Sequence, residues 1–167
     1  RVGFDVAQVR PFTDVFQAIS DCDDALAQAG DPGAYRAIGV RCREVLLSFV
    51  HAFQDASEDR ENMPQRSNFV AWIDLIYDEI QPGPDNKERR KIVKSGFKEA
   101  WIYSNWLTHS QSSNWLDAEM GIKAVTHAVE MALSMTIKHL RGVPPECPEC
   151  QSVNLHPEEG MNTESPD

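Results

Sequence analysis

Residues 114–141 read NWLDAEMGIKAVTHAVEMALSMTIKHLR. Apolar residues in this stretch recur at intervals of three and four, which is the spacing of one face of an α-helix. Asn114 precedes Asp117 by three residues, a variant of the capping box that opens helices, and Gly142 follows as a stop. Cations fill the last turn, where the helix dipole favours them. The sequence therefore predicts a long helix with these side chains inward: Leu116, Met120, Val125, Val129, Ala132, Leu133, Ile137 and Leu140.

Four earlier stretches show the same spacing and are separated by residues that break helices. Gly30–Gly33 and Gln81–Asp85 combine glycine with proline, which ends a helix. Helices are expected from Pro11 to the first break, over about 34–56, from just after Ser67 to Ile80, and from about Asp85 to about His109. Apart from an extended lead-in at residues 1–10, no stretch alternates with the period of a strand. The sequence predicts an all-α fold, a single bundle of about five helices.

The chain has 167 residues, the size of one ordinary domain. We expect the bundle to span residues 1–143 and a short acidic tail, zinc-ribbon-like or disordered, to span 144–167. No apolar run approaches the roughly 20 residues of a membrane helix, so no membrane partner is expected. Cys22 and Cys42 stand alone in helical patterns and are expected in the core. Because no disulfide framework of the secreted kind is visible, the composition favours a cytoplasmic location.

Charge is distributed unevenly along the chain. The net charge of −10 argues against a general nucleic-acid binder, but residues 146–167 hold six acids and no base. The rest of the chain carries 20 acids and 16 bases, a net charge of −4. Six of these bases lie in one 12-residue stretch of the predicted fourth helix: Lys87, Arg89, Arg90, Lys91, Lys94 and Lys98. The candidate nucleic-acid-binding residues among them are Arg89, Arg90, Lys94 and Lys98. The alternative is that these cations form a solvated helix face.

Cys147 and Cys150 form a C-x-x-C pair in the acidic tail. Two thiolates at this spacing resemble the first knuckle of a zinc ribbon, which binds a tetrahedral Zn²⁺. A closed structural site needs two more ligands, and His156 is the only nearby candidate. The sequence therefore predicts a structural zinc site that is incomplete within these residues. The alternative is an unpaired loop without metal.

Asn105 and His109 lie four residues apart at the end of the fourth helix, so they share a face. The helix C-terminus favours a protonated histidine. A histidine beside cations can act as a general acid or base when the ribose 2′-hydroxyl cleaves RNA. The alternative is that both side chains only satisfy helix carbonyls or meet water. Trp101 and Trp106 flank the pair; they would either stack on bases or, as we expect, pack in the core.

The segment from Ser104 to His109 resembles part of the active motif of the HEPN superfamily of small helical-bundle domains. That motif is an Arg, a polar residue such as Asn, and a His after four to six intervening positions. Asn105 and His109 match it, whereas Ser104 stands at the Arg position and cannot replace the charge that would contact the scissile phosphate. At fold level the resemblance covers roughly residues 11–142. It implies a homodimer and metal-independent RNA cleavage, with Asn105 and His109 as catalytic residues.

A second polar stripe lies on the second helix and includes Arg41, Glu44, Ser48, His51 and Asp55. If it faced the fourth helix, His51 and Arg41 would join His109 at one site, and Arg43, one position away, would reach the same region. Otherwise the stripe is an ordinary charged surface, on which ion pairs contribute little.

Three hypotheses follow from the sequence. The first is a HEPN-like domain that binds or cleaves RNA in a bacterial defence or toxin system. In the cleaving version His109 transfers the proton, and Asn105 orients the His109 side chain. The second is a non-catalytic interaction or dimerisation module of a larger assembly, which the Ser104 departure and the acidic net charge favour. The third is an unrelated helical bundle with an appended zinc ribbon. The sequence slightly favours the first.

Overall fold

The computed structural model describes residues 3–59 and 61–141, apart from the side chains of Val6 and Arg141. Its α-helices are α1 (Thr13–Gln28), α2 (Pro32–Gln54), α3 (Phe69–Ile80), α4 (Lys87–His109) and α5 (Trp115–Arg141). Short 3₁₀ turns cover Val6–Gln8 and Pro84–Asn86. Within the described residues the only β-type contact is an isolated bridge between Phe4 and Ser57. The predicted all-α bundle of five helices is confirmed, while the predicted tail at 144–167 lies outside the described residues.

Local side-chain caps define where two of the helices begin. Asp31 accepts a hydrogen bond from the Ala34 N–H at 2.8 Å, and Pro32 takes the first position of α2. Proline is favoured there because that N–H has no partner within the helix, so α2 begins two residues before the predicted start. At α5, the Asn114 N–H donates to Asp117 Oδ2 at 2.8 Å, and the Asp117 N–H donates to Asn114 Oδ1 at 3.1 Å. The predicted capping box is confirmed.

Helix α2 lies at the centre of the bundle and contacts all four other helices. Aromatic rings fill its junction with α4, where the ring centroids of Phe49 and Phe97 lie 5.0 Å apart. Between α3 and α4, Phe69 stacks on Trp101 at 4.9 Å between ring centroids. Cys42 is fully buried in the same core, as is Cys22. Burying one large apolar side chain, such as Phe49 or Phe97, stabilises the fold by about 1.5–3 kcal/mol. The expected burial of both cysteines is confirmed.

The backbones of α2 and α4 approach closely at Gly39. A Cβ atom on Gly39 would lie 2.6 Å from the Thr108 backbone nitrogen and 3.0 Å from the Leu107 carbonyl carbon. One turn earlier on α2, the Arg36 guanidinium donates to the Ser110 carbonyl oxygen at 3.3 Å. The first half of α2 therefore lies against the C-terminal end of α4, where the candidate residues Asn105 and His109 are found.

The lead-in segment crosses the C-terminal end of α2. The Asp5 N–H donates to the Ala56 carbonyl at 2.7 Å, and the Arg10 N–H donates to the Ala52 carbonyl at 3.0 Å. The Arg10 guanidinium also binds the His51 carbonyl and the Asp55 carboxylate, each at 3.1 Å. These bonds satisfy carbonyls that the end of an α-helix leaves without partners. The expected extended lead-in is thus interrupted by one 3₁₀ turn.

Several apolar side chains that were expected inward are exposed. On α5, Leu116, Met120 and Ile137 are 57%, 51% and 37% exposed, and on α4 Ile92 is 55% exposed. These expectations were wrong because apolar residues occupy more of each helix surface than the neighbouring helices cover. No helix among the described residues is both long and apolar enough to cross a bilayer.

Candidate functional site

The three positions of the HEPN-like motif have different environments on α4. Ser104 is fully buried, and its hydroxyl donates to the Ala100 carbonyl at 2.7 Å. The Asn105 side-chain amide donates to the Trp101 carbonyl at 3.0 Å and is half-buried. His109 is exposed. The position that would hold the family's arginine therefore faces the core, so α4 presents only Asn105 and His109 to a ligand.

Two of the four predicted phosphate-binding residues hold α4 against α3. Arg90 donates to the Gln81 and Gly83 carbonyls, each at 2.6 Å. The Lys94 ammonium lies 2.6 Å from Asp78 and 3.5 Å from Asp74. Since both carboxylates belong to α3, part of the positive charge on this side of α4 is neutralised within the protein.

The other two predicted phosphate-binding residues, Arg89 and Lys98, are exposed. Arg89 donates to the side-chain oxygen of Asn86 at 2.7 Å, near the start of α4. Lys98 lies about two and a half turns further along α4, seven residues before Asn105. That spacing places Lys98 on the same side of the helix as Asn105 and His109.

Arginines of α2 add to the charge beside the motif. The Arg43 guanidinium lies 5.2 Å from the centroid of the Trp101 ring, within the range of a cation–π contact. Arg36 is bound to the Ser110 carbonyl, just beyond His109. We name the surface formed by Arg36, Arg43, Lys98, Asn105 and His109 the α2–α4 face. The sequence indicated Arg43 only as a neighbour of the α2 stripe and gave no signal for Arg36, because both contacts join residues far apart in the chain.

His51 and Arg41 do not join His109. His51 lies twelve residues beyond Gly39 on α2, about 18 Å along the helix, and lines a small cavity with Arg10 and Asp14. Burial, together with the nearby cations Arg66 and Arg10, lowers the pKa of His51. Arg41 is exposed beside α1. The α2 stripe is therefore separate from the motif on α4.

An apolar groove lies between α4 and α5. Its volume is about 550 Å³, and it is lined by Gly96, Glu99, Ala100, Ile102, Tyr103, Trp106, Met120, Ala124, His127 and Ala128. We name it the α4–α5 groove. Ile102, Trp106 and Met120 on its rim are 51%, 48% and 51% exposed. Trp106, which was expected in the core, is thus partly exposed, whereas Trp101 packs on Phe69 as expected.

Small residues make the floor of the α4–α5 groove. A Cβ atom on Gly96 would lie 3.9 Å from the Ala128 Cβ, so the two helices meet there without a large side chain between them. At one end the Tyr103 hydroxyl donates to the Asp117 carbonyl at 3.0 Å. Burial raises the pKa of Tyr103, and the Asp117 carboxylate raises it further. Tyr103 is therefore a neutral hydrogen-bond donor that closes this end of the groove.

No group of three or more His, Cys, Asp or Glu side chains suited to a metal ion occurs among residues 3–59 and 61–141. Cys147 and Cys150 lie outside the described residues, so the zinc site stays a prediction. In the core, a hydrogen bond with Cys22 raises the pKa of Cys42, and burial raises it further. That thiol is neutral and suited to packing rather than to metal binding.

Comparisons with protein-family models, curated proteins and solved structures found no match to this chain.

Proposed function

We propose that this protein is a non-catalytic helical interaction module that binds a protein partner through the α4–α5 groove. The observation that carries the proposal is the exposure of Ile102, Trp106 and Met120 around one concave apolar surface. Contiguous exposed apolar surface is characteristic of binding sites. Aromatic and methionine side chains are enriched where proteins bind one another.

The partner that this surface fits best is a second copy of the chain. A two-fold interface needs one patch that is complementary to itself, and the groove carries both protruding side chains, such as Trp106, and a floor of small residues, such as Gly96. We infer that two such grooves pack face to face, so that the apolar rim of each copy is covered by the other copy.

Sedimentation velocity tests this proposal. We expect the wild-type chain to dimerise, and Trp106→Glu and Met120→Glu to be folded monomers because each places a charge on the apolar rim. Phe16→Glu is the matched control, since Phe16 is 53% exposed but lies on α1, away from the groove. A wild-type chain that stays monomeric at every concentration would exclude the second copy as the partner.

A second candidate function is RNA binding by the α2–α4 face, with the HEPN-like domain acting in a bacterial defence or toxin system. It is favoured by the position of Arg43, which brings a cation from α2 to the turn of α4 that precedes Asn105. Lys98 and Arg36 would contact further phosphates. In a cleaving version, His109 transfers the proton and Asn105 orients the His109 side chain. Arg43 supplies the positive charge that Ser104 lacks.

RNA binding and cleavage are measured with a mixed RNA pool and no added metal. If the face binds RNA, affinity falls steeply with salt because neutralised phosphates release counterions, and Arg43→Gln weakens binding whereas Lys123→Gln on α5 does not. Cleavage that is lost in His109→Ala would make the protein a metal-independent endoribonuclease. Absence of binding at low salt would remove this candidate and leave the interaction module.

A further inference from the structure

A second cavity lies where the end of α3, the start of α4 and the end of α5 meet. Its volume is about 460 Å³, and three basic side chains line it: Arg89, Lys138 and His139. Among the described residues no Asp or Glu lines it. The C-terminus of α5 contributes roughly half a negative charge, which Arg89 and Lys138 outweigh. The cavity therefore has the electrostatic character of an anion site.

Asn86 holds the arginine of this cavity in position. Its side-chain amide donates to the Pro82 carbonyl at 2.8 Å, and its side-chain oxygen accepts from an Arg89 terminal nitrogen at 2.7 Å. An arginine side chain has five N–H donors in a planar fork, so this bond leaves most of them for a ligand. Orienting the fork in advance lowers the entropic cost of binding an anion.

The remaining walls are apolar or neutral. Ile80 forms a largely buried wall, Met135 is half-buried on α5, and Gln81 lies beside them. A cavity of this volume is within the usual range of small-molecule sites, which combine apolar walls with a few polar groups. The cavity therefore has room for an organic group attached to the anion.

We propose that this cavity binds a phosphate monoester of low molecular weight. The phosphate lies on Arg89, Lys138 and His139, because an arginine fork and an ammonium group match phosphate oxygens in geometry and charge. The organic group lies against Met135 and Ile80. The site is at the opposite end of α4 from His109, so the proposal does not depend on the α4–α5 groove or on RNA binding.

Isothermal titration calorimetry of the full chain, supported by NMR of the histidine side chains, tests the site with three probes. These are inorganic phosphate, adenosine 5′-monophosphate and adenosine. We expect the monophosphate to bind and to shift the His139 signals, and adenosine without phosphate not to bind. Tighter binding of the monophosphate than of phosphate would show that the organic group contributes, whereas equal affinities would identify free phosphate as the ligand.

Matched variants separate this site from general attraction of anions to cations. Arg89→Gln and Lys138→Gln should each weaken binding about tenfold or more, the loss expected when a hydrogen bond to a charged group is removed. Lys91→Gln is the control, since Lys91 is an exposed cation of α4 that does not line the cavity. Failure of both phosphate probes to bind, or an equal loss in the control, would overturn the proposal.

Discussion

Helix α4 contacts α2 on one side and α5 on another, and the two contacts differ although a glycine lies in each. At α2, Gly39 lets the two backbones meet, and the Phe49 and Phe97 rings fill the junction. At α5, Gly96 lies beside Ala128, and the space outside these small residues is an open apolar groove. A glycine in a helix thus gives tight packing where another backbone covers it, and an open groove where only a small side chain lies beside it.

The largest expected difference between the two contacts concerns their aromatic residues. Phe97→Ala should lower the free energy of unfolding by about 3–5 kcal/mol, because it leaves a cavity in the core. Trp106→Ala should lower the free energy of unfolding of the monomer by less than about 1 kcal/mol, since half of that side chain is already in water and surface changes have small effects. Urea unfolding at a protein concentration low enough to dissociate the proposed dimer measures both; equal losses would mean that Trp106 belongs to the folding core.

The glycines should respond in opposite directions. Gly39→Ala brings a Cβ within 2.6 Å of the Thr108 backbone nitrogen, and such overpacking costs about 1–3 kcal/mol. Gly96→Ala makes an ordinary contact and gains up to about 1 kcal/mol of helix propensity. Thermal unfolding of the two variants compares them directly. If Gly39→Ala were as stable as wild type, the close approach of α2 and α4 would be refuted.

Two tyrosines give a smaller contrast. Tyr77 is fully buried and its hydroxyl forms a hydrogen bond of 2.9 Å with the Thr136 hydroxyl, and burial raises the pKa of Tyr77 well above the usual range. Tyr77→Phe should cost about 1 kcal/mol, the usual net contribution of a hydrogen bond. Tyr103→Phe, at the more exposed end of the α4–α5 groove, should cost less. Denaturant midpoints measured under one buffer condition decide the order.

The smallest expected effect lies outside both contacts, at His51 on α2. Its pKa is lowered in the folded protein, chiefly by burial and then by Arg66 and Arg10. The unfolded chain therefore binds more protons near the unfolded pKa, so folding stability is highest above that pKa and declines as pH falls through the folded pKa. In His51→Gln this part of the pH dependence should disappear. An unchanged stability–pH profile in the variant would count against the lowered pKa.

The helix limits were predictable because the signals that set them are local. The caps at Asp31 and at Asn114 bond to residues only three positions away, so their effect can be deduced from spacing alone. The predicted limits differ from the observed ones by two residues at the starts of α1, α2 and α4 and at the end of α2. At the start of α2, Pro32 was taken as part of a break and in fact occupies the first turn.

The candidate site was only partly predictable. Spacing alone placed Asn105 and His109 together, but the acids that engage Arg90 and Lys94 belong to α3, and no sequence interval indicates such ion pairs. Likewise Arg43 reaches Trp101 only because α2 and α4 pack together. The sequence also could not indicate that Leu116 and Met120 would be exposed. Their spacing fits the period of a helix just as the spacing of the buried Val125 does.

The sequence by itself determined the all-α class, the number of helices and most of their limits, because periodicity and capping act over one or two turns of chain. Tertiary structure decided which apolar residues are covered by other helices and which cations are neutralised by acids of other helices. It also decided that Arg89, Lys138 and His139 line the same cavity. Those outcomes depend on side chains that lie tens of residues apart and meet only when helices pack. The physical reason is that burial and ion pairing are set by neighbours in space, while the pattern along the chain records only neighbours on one helix.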